Sequence, residues 1–196
     1  MRIIGGTAGG SLLKAPRGFA VRPTPDLVRQ ALFNSLGARV QEAVVLDLFS
    51  GTGAIGLECL SRGARRVVSV ERGTRHADII RSNLEQSRLP GDHYEIRVQD
   101  VFAALGQLSA LGDRFDLILA DPPFGEKNVG RRSESLSQKL LDDLRLPGLL
   151  AEEGRFILGH ARRDSLTIPA PWRELKVLKH GDSVMRVLYL PQEPAG

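Results

Sequence analysis

Cysteine, clustered histidine and long apolar runs are what this sequence has least of. Cys59 is the single cysteine among 196 residues, so no internal disulfide can form, and we expect a reducing, cytoplasmic environment. No apolar run approaches the roughly 20 residues of a membrane-spanning helix, and the first residues lack the hydrophobic core of a signal peptide. The four histidines are scattered without ligand spacing, which predicts no metal site.

The composition is that of a folded domain with an uneven charge. Hydrophobic residues make up 42% and charged residues 26% of the chain, which predicts one globular domain with a short appendage. Residues 1–39 hold six basic side chains and one acid, a net +5 that leaves −1 for the rest of the +4 total. We therefore divide the chain into a basic extension, residues 1–39, and a domain, residues 40–196. The extension is either a phosphate-binding surface or an ordinary solvated basic face.

Apolar runs alternate with helical patterns through most of the domain. This rhythm predicts an α/β fold whose mostly parallel sheet has helices on both faces. Residues 172–180 and 183–190, joined at Gly181-Asp182, predict a closing antiparallel hairpin. The expected sheet therefore has seven strands. The other predicted strands are Val44–Leu48, Arg66–Glu71, Tyr94–Val98, Phe115–Ala120 and residues 154–159; the predicted helices include Asp26–Leu36, Ala54–Ser61 and residues 135–146.

A glycine loop follows the first predicted strand. Residues 51–56 read Gly-Thr-Gly-Ala-Ile-Gly, and Glu71 lies twenty residues after Gly51, which is typical of a dinucleotide site. Asp47, four residues before Gly51, argues against a dinucleotide, because a carboxylate there would repel a pyrophosphate. S-adenosylmethionine has no phosphate and carries positive charge on its ammonium and sulfur. The loop therefore favours S-adenosylmethionine, with glycines leaving room for a cofactor against the backbone.

Two more acids follow the next predicted strands. Glu71 is placed to accept hydrogen bonds from both ribose hydroxyls. Asp100 is placed to accept one from the adenine amino group, while the Val101 amide reads the edge of the ring. The alternative for both acids is helix capping or turn formation. Ligands of open parallel sheets bind at the carboxyl ends of the strands, where all three acids are expected.

The fourth predicted strand delivers the motif Asp121-Pro122-Pro123-Phe124. The exocyclic amine of a base is a poor nucleophile because its lone pair is delocalised into the ring. The Asp121 carboxylate and the Pro122 carbonyl can accept the two amine hydrogens, the prolines stiffen the turn, and Phe124 offers a face for base stacking. The alternative is a plain strand-terminating turn. Together with the acidic glycine loop, the motif predicts an amino-methyltransferase.

Beyond these motifs, nearly the whole chain resembles the bacterial RsmD-type family. The resemblance is carried by Arg2-Ile3-Ile4-Gly5-Gly6, Arg22-Pro23-Thr24-Pro25-Asp26, Val28-Arg29, Ala31-Leu32-Phe33-Asn34, residues 46–57, Leu60-Ser61-Arg62-Gly63-Ala64 and residues 121–124. It implies a Rossmann-like class I methyltransferase that methylates N2 of one guanine in 16S ribosomal RNA. The sequence departs from the family's pattern at Ser50, where alanine is frequent, at Pro25, where a second threonine is frequent, and at His160, where an acid is frequent.

The resemblance also implies roles for individual residues. Catalysis falls to Asp121, Pro122, Pro123 and Phe124. The expected cofactor-binding residues are Thr24, Asp47, Phe49, Ser50, Gly51, Gly53, Glu71, Arg72, Asp100 and Val101. The expected RNA contacts, drawn from the basic extension, are Arg2, Arg17, Arg22 and Arg29.

The expected partner is 16S ribosomal RNA within an assembling small ribosomal subunit, and we expect a monomer that does not bind membranes. The alternative within the same chemistry is an adenine-N6 methyltransferase acting on DNA or RNA. A methyltransferase for protein side-chain amides does not account for the basic extension. A non-catalytic RNA-binding module does not need the acidic loop, and a nicotinamide-dependent dehydrogenase has no use for Asp47 or residues 121–124.

Overall fold

Seven strands and six α-helices form in the part of the chain that the structure describes. The computed structural model describes residues 1–16, 26–124 and 131–192. The strands are β1 Val44–Leu48, β2 Arg66–Glu71, β3 Tyr94–Val98, β4 Phe115–Ala120, β5 Leu150–Ala161, β6 Arg173–His180 and β7 Ser183–Tyr189. The helices are α1 Asp26–Leu36, α2 Ala54–Ser61, α3 Thr74–Gln86, α4 Val101–Leu111, α5 Leu136–Asp142 and α6 Leu146–Leu149, with 3-10 turns at Gly37–Val40 and Gly91–His93.

The strands lie in one sheet in the order β3-β2-β1-β4-β5-β7-β6, which confirms the predicted α/β architecture. The chain divides into two compact units, Met1–Ala104 and Leu105–Gly196. Both the predicted extension and the start of the predicted domain fall in the first unit, so the boundary at residue 39 stays a prediction. No helix in the part of the chain that the structure describes is long and apolar enough to cross a membrane.

In the first unit, β1, β2 and β3 are parallel, with Leu48 level with Val70 and Glu71 level with Val98. The Val-rich and Leu-rich runs of β1 and β2 are buried on both faces, as continuous apolar strands in parallel sheets are, whereas β3 at the edge of the sheet is only partly buried. Helix α2 is buried along its whole length. Helix α3 buries only one stripe of residues, which includes Ala77 and Ile80, and exposes its charged side chains, as an amphipathic surface helix does.

The first thirteen residues form a small hairpin that packs on the first unit. Arg2 and Leu12 form an antiparallel bridge, and the side chain of Ile3 is fully buried. The Ala8 amide donates to Ser61 Oγ at 2.9 Å, and the Lys14 amide donates to Asn83 Oδ1 at 2.7 Å. The extension is therefore tied to the ends of α2 and α3.

A buried ion network fastens this hairpin. The Glu58 carboxylate of α2 is fully buried and accepts the amides of Ile4 and Gly5 at 2.6 and 2.9 Å. It also accepts Arg62 Nε at 2.8 Å and faces Arg29 Nη1 at 3.9 Å. A buried carboxylate needs such donors to offset its lost hydration.

The expected phosphate contact of Arg29 is wrong. Its side chain is 0% exposed, and Nη2 donates to the carbonyl of Arg2 and to Asp26 Oδ1. Burial between two carboxylates makes Arg29 part of the core, because a guanidinium in this position balances Glu58 and cannot reach a solvent-side phosphate.

In the second unit, β4 and β5 are parallel, whereas β7 runs antiparallel to both β5 and β6. His180 pairs with Ser183 across Gly181-Asp182, so the predicted closing hairpin is confirmed. Strand β6 lies at the edge of the sheet and is exposed along much of its length. Its lysines and arginine suit an unpaired edge, because charge there discourages pairing with another chain.

Two predicted elements of this unit have different bounds. Strand β5 begins at Leu150 rather than residue 154, because its first residues pair with β4 through a register shift after Phe115. The helix predicted at residues 135–146 is instead α5 and α6. Asp143 between them is extended and accepts the Arg145 amide at 3.0 Å, a local side-chain bond that competes with helix formation.

Replacing Arg29 with methionine should destabilise the protein by about 1–3 kcal/mol, because the buried Glu58 carboxylate would keep Arg62 but lose its second cation, and the Arg2 carbonyl would lose its donor. The free energy of unfolding, measured by urea denaturation, checks this. Arg81→Ala is the matched control, since Arg81 pairs with Asp78 on the exposed face of α3, where a pair contributes less than about 1 kcal/mol. Equal stability of the two variants would show that the Glu58 network does not hold the fold.

Candidate active site

The glycine loop that follows β1 has an unusual backbone. Phe49, Gly51 and Gly53 have φ angles of 58°, 56° and 77°, in the left-handed region that only glycine enters at little cost. Ser50 stabilises the turn, because its hydroxyl donates to the Asp47 carbonyl at 2.7 Å and its amide donates to the Val70 carbonyl at 3.1 Å. A non-glycine residue held in this region, such as Phe49, is common at functional sites.

The glycines at positions 53 and 56 are needed for packing within the protein. A Cβ on Gly53 would lie 3.0 Å from the Ile80 side chain, and one on Gly56 would lie 2.5 Å from the Tyr94 hydroxyl. We expected these glycines to leave room for a cofactor. The structure accounts for both by the close approach of α3 and β3 beneath the loop.

Asp47 is nearly inaccessible, with 2% of its surface exposed. Its Oδ2 accepts the Gly56 amide, in the first turn of α2, at 3.2 Å. Burial raises the pKa of the neighbouring Tyr94 hydroxyl well above its usual range, and the Asp47 carboxylate raises it further. Asp47 therefore stabilises the glycine loop from its buried side. Tyr94, which the sequence did not indicate, lies next to Asp47.

Glu71 lies between two glycine turns at the end of β2. Its Oε2 accepts the Gly51 amide at 2.9 Å and its Oε1 accepts the Gly73 amide at 2.8 Å. An ionised carboxylate has about four acceptor positions, so two remain for a ligand. The carboxylate is held in place before any ligand binds, and 12% of the side chain is exposed.

Asp100 caps helix α4, as the alternative reading predicted. Its Oδ1 accepts the amides of Phe102 and Ala103 at 2.9 and 3.3 Å. The residue is exposed, whereas Val101 is buried at the start of the helix. Capping uses one oxygen only, so the residue keeps acceptor capacity at the carboxyl end of β3. Arg72, next to Glu71, is exposed.

In the second unit, Asp121 lies directly over Gly159. A Cβ on Gly159 would meet Asp121 Oδ1 at 2.2 Å and Asp121 Cα at 3.3 Å. The Gly159 carbonyl is held in turn by the buried hydroxyl of Ser137, which donates to it at 2.9 Å. The absence of a side chain at position 159 therefore decides where the Asp121 carboxylate lies. Glycine inside an apolar strand often marks such a close approach, and this signal was available in the sequence.

The rest of the motif leaves β4 toward solvent. Pro122 is buried and Pro123 is exposed. Phe124 has 45% of its surface exposed, so its ring is accessible to a ligand.

His160 is one of the three positions at which the sequence departs from the pattern of the family that it resembles. It is buried, its Nδ1 donates to the Ala161 carbonyl at 2.9 Å, and its Nε2 accepts Arg186 Nε at 3.0 Å. Burial lowers the pKa of this imidazole, and the Arg186 cation lowers it further. Because Nε2 accepts from Arg186, the ring links β5 to β7 by a side-chain hydrogen bond.

The remaining predicted residues divide into two groups. Arg2 is described and its side chain is 64% exposed, whereas Arg17, Arg22 and Thr24 lie outside the described residues. Among residues 1–16, 26–124 and 131–192, no group of three or more His, Cys, Asp or Glu could hold a metal ion.

The family model described as conserved hypothetical protein 95 matches residues 1–189. The chain belongs to this family. Its match covers both compact units, so the glycine loop and the Asp-Pro-Pro-Phe motif lie inside one family domain.

Two relatives of this chain carry names that refer to rRNA methylation. Ribosomal RNA small subunit methyltransferase D of Escherichia coli strain K12 is 33% identical over 173 residues, which cover 88% of this chain and 81% of that protein. The Bacillus subtilis strain 168 protein named "Putative rRNA methyltransferase YlbH" is 32% identical over 166 residues, or 85% of each chain.

A solved structure agrees. The Escherichia coli protein named "Putative methyltransferase yhhF" superposes with a TM-score of 0.79 at 27% identity, covering 96% of each chain. The predicted class I methyltransferase fold is confirmed.

Proposed function

We propose that this chain is an S-adenosylmethionine-dependent methyltransferase that methylates the exocyclic N2 amine of one guanine in 16S ribosomal RNA. The observation that carries the proposal is 33% identity to a ribosomal RNA small subunit methyltransferase over 88% of the chain, together with Asp121 preset over Gly159. The choice of guanine N2 rests on the RsmD-type resemblance.

The acids of the first unit fit S-adenosylmethionine better than a dinucleotide. Glu71 keeps two acceptor positions beside the glycine loop, which suits the two hydroxyls of a ribose. Asp100 keeps an acceptor at the end of β3, which suits an adenine amino group. Asp47 adds negative charge beneath the loop, which favours a cationic ligand and disfavours a pyrophosphate. When bound, this cofactor supplies an electrophilic methyl group on a positively charged sulfur.

The residues of the motif prepare the amine. Asp121 and the Pro122 carbonyl accept its two hydrogens, which favours a tetrahedral nitrogen with its lone pair available for attack. Asp121 acts as an acceptor that orients the amine and not as a strong base; the surplus proton passes to water. The exposed ring of Phe124 stacks against the extruded base.

Because Arg29 belongs to the core, the RNA contacts of the extension are made by Arg2, Arg17 and Arg22. The Arg2 guanidinium lies 3.7 Å from Asp26 at the surface, a distance at which it still has donors for a phosphate. We further propose that the enzyme acts as a cytoplasmic monomer on 16S ribosomal RNA in an assembling subunit, because a chain this small gains specificity from a preassembled surface.

Mapping of base methylation in ribosomal RNA tests the function directly. Cells that lack the protein should lose N2 methylation at one 16S guanine, and the wild-type gene should restore it. A gene carrying Asp121→Ala should not restore it. An unchanged guanine pattern, or loss of an adenine-N6 mark instead, would contradict the guanine assignment.

Glu71→Ala should weaken S-adenosylmethionine binding by about 1–3 kcal/mol, because the ribose hydroxyls would lose their acceptor. Calorimetry measures the affinity. An analogue without the 2′-hydroxyl distinguishes this role from a distorted glycine loop. The wild type should bind the analogue less tightly than the natural cofactor. The Glu71→Ala variant should bind the two almost equally. An undiminished affinity in Glu71→Ala would overturn the assignment.

Asp121→Ala should slow the chemical step roughly 10²–10³-fold, the effect of one preorganised hydrogen bond in a dry site. Asp121→Asn keeps an acceptor oxygen and should retain part of the activity. Phe124→Ala should lose about 1–3 kcal/mol of base stacking. Single-turnover kinetics at saturating cofactor measure these effects, and a near-normal rate in Asp121→Ala would contradict the proposed chemistry.

Gly159→Ala provides a check that leaves the carboxylate present. Its methyl would displace Asp121, and a misplacement of about 1 Å costs roughly 10²-fold in rate. Gly148→Ala is the matched control, because a Cβ there meets nothing within 4 Å. Cofactor affinity should be unchanged in both variants.

A further inference from the structure

We infer that a basic surface at the carboxyl-end edge of the second unit binds the phosphates that flank the target base. The surface consists of Arg162, Arg163, Lys179 and His180, all exposed, and we call it the hairpin-tip surface. It lies outside the basic extension, and the inference rests on the proposed function.

The topology of the sheet brings these residues together. Ala161 at the end of β5 pairs with Ser183, which pairs with His180 at the end of β6. The Arg162 amide donates to the carbonyl of Asp182 in the hairpin turn at 2.7 Å. With neighbouring strands about 4.8 Å apart, the two basic pairs lie on the order of 10 Å apart.

The same edge holds Asp121 and Phe124. Ala120 is level with Leu158, so Asp121 lies near Gly159, and Arg162 lies three residues after Gly159 in the turn that follows β5. At about 3.3 Å per residue, Arg162 lies roughly 10 Å beyond Asp121 along the strand direction. An RNA strand whose base stacks on Phe124 therefore has phosphates within reach of this surface.

Charge in this unit differs between the two edges of the sheet. Residues 105–196 contain 13 basic and 13 acidic residues, a net charge of zero. At the carboxyl-end edge, three exposed cations stand beside three acids, the exposed Asp182, the half-buried Asp121 and the buried Asp164, so this edge is neutral overall and its cations are exposed. The opposite edge, at the starts of β4, β5 and β6, is acidic; its charged residues are Asp113, Arg114, Asp116, Glu152, Glu153, Arg155, Arg173 and Glu174.

Two of the hairpin-tip cations, Arg162 and Lys179, are also available for a ligand. Among the residues that the structure describes, neither Arg162 nor Lys179 makes an ion pair. Arg132, Arg145 and Arg186 in the same unit are paired with carboxylates. An unpaired cation with flexible reach is what binding to RNA phosphates through counterion release requires.

The test compares Arg162→Ala/Lys179→Ala with Arg114→Ala/Arg173→Ala, which removes the same charge from the opposite edge. Affinity is measured against salt, for an unmodified 16S transcript and for small subunits from cells that lack the protein. If the surface makes two phosphate contacts, the slope of log K against log[salt] should become shallower by about 1.4–1.8, and affinity at 0.1 M salt should fall on the order of tenfold or more. The control should match the wild type.

Two outcomes would overturn the inference. One is a hairpin-tip variant with the salt slope and affinity of the wild type on both substrates. The other is an equal loss in the opposite-edge control, which would mark a general charge effect. Failure of the proposed function is distinguishable, because the wild type itself would then leave 16S guanine unmethylated. Melting temperature and cofactor affinity should be unchanged in both variants, since all four side chains are exposed.

Discussion

The buried carboxylate of Glu58 is the interaction on which the first unit depends. It joins the N-terminal hairpin through Ile4 and Gly5, and it faces Arg29 of α1. A buried charge of this kind is tolerated only while its donors stay in place. Helix α2, which carries Glu58, begins at the glycine loop and is about 12 Å long at 1.5 Å per residue. One short helix therefore sets the distance between the loop and the anchored extension.

The two proposed site carboxylates are oriented in different ways. Glu71 is oriented by attraction, because the amides of Gly51 and Gly73 each donate to one of its oxygens. Asp121 lies so close over Gly159 that a side chain at position 159 would displace it. Both arrangements exist before a ligand binds, and preorganised groups need no rearrangement during the reaction. A parallel strand that ends in a glycine-rich turn is suited to both, since the backbone there can approach a side chain closely.

The strands β1, β2 and β4 could be predicted because each is a short apolar run bounded by turn residues, and β3 because its apolar and polar residues alternate. The start of β5 could not, since acids at residues 152–153 hide a pairing that only the neighbouring strand defines. Glu71 and Asp121 are predictable from their position after a strand. The role of Arg29 could not be predicted, because the sequence does not show that Arg29 of α1 faces Glu58 of α2. Partners far apart in sequence decide whether an arginine is a ligand for RNA or part of the core.

Net charge counted along the chain is therefore a poor guide to the field that an RNA meets. The extension has a net charge of +5, but Arg29 is buried and faces Asp26 and Glu58. The second unit counts zero, yet its sheet separates cations at the end of β5 from acids at the start. Strand direction does this, because residues that follow parallel strands collect at one edge and residues that precede them collect at the other. A polyanion responds to that local separation, since screening limits the reach of charge to about 10 Å.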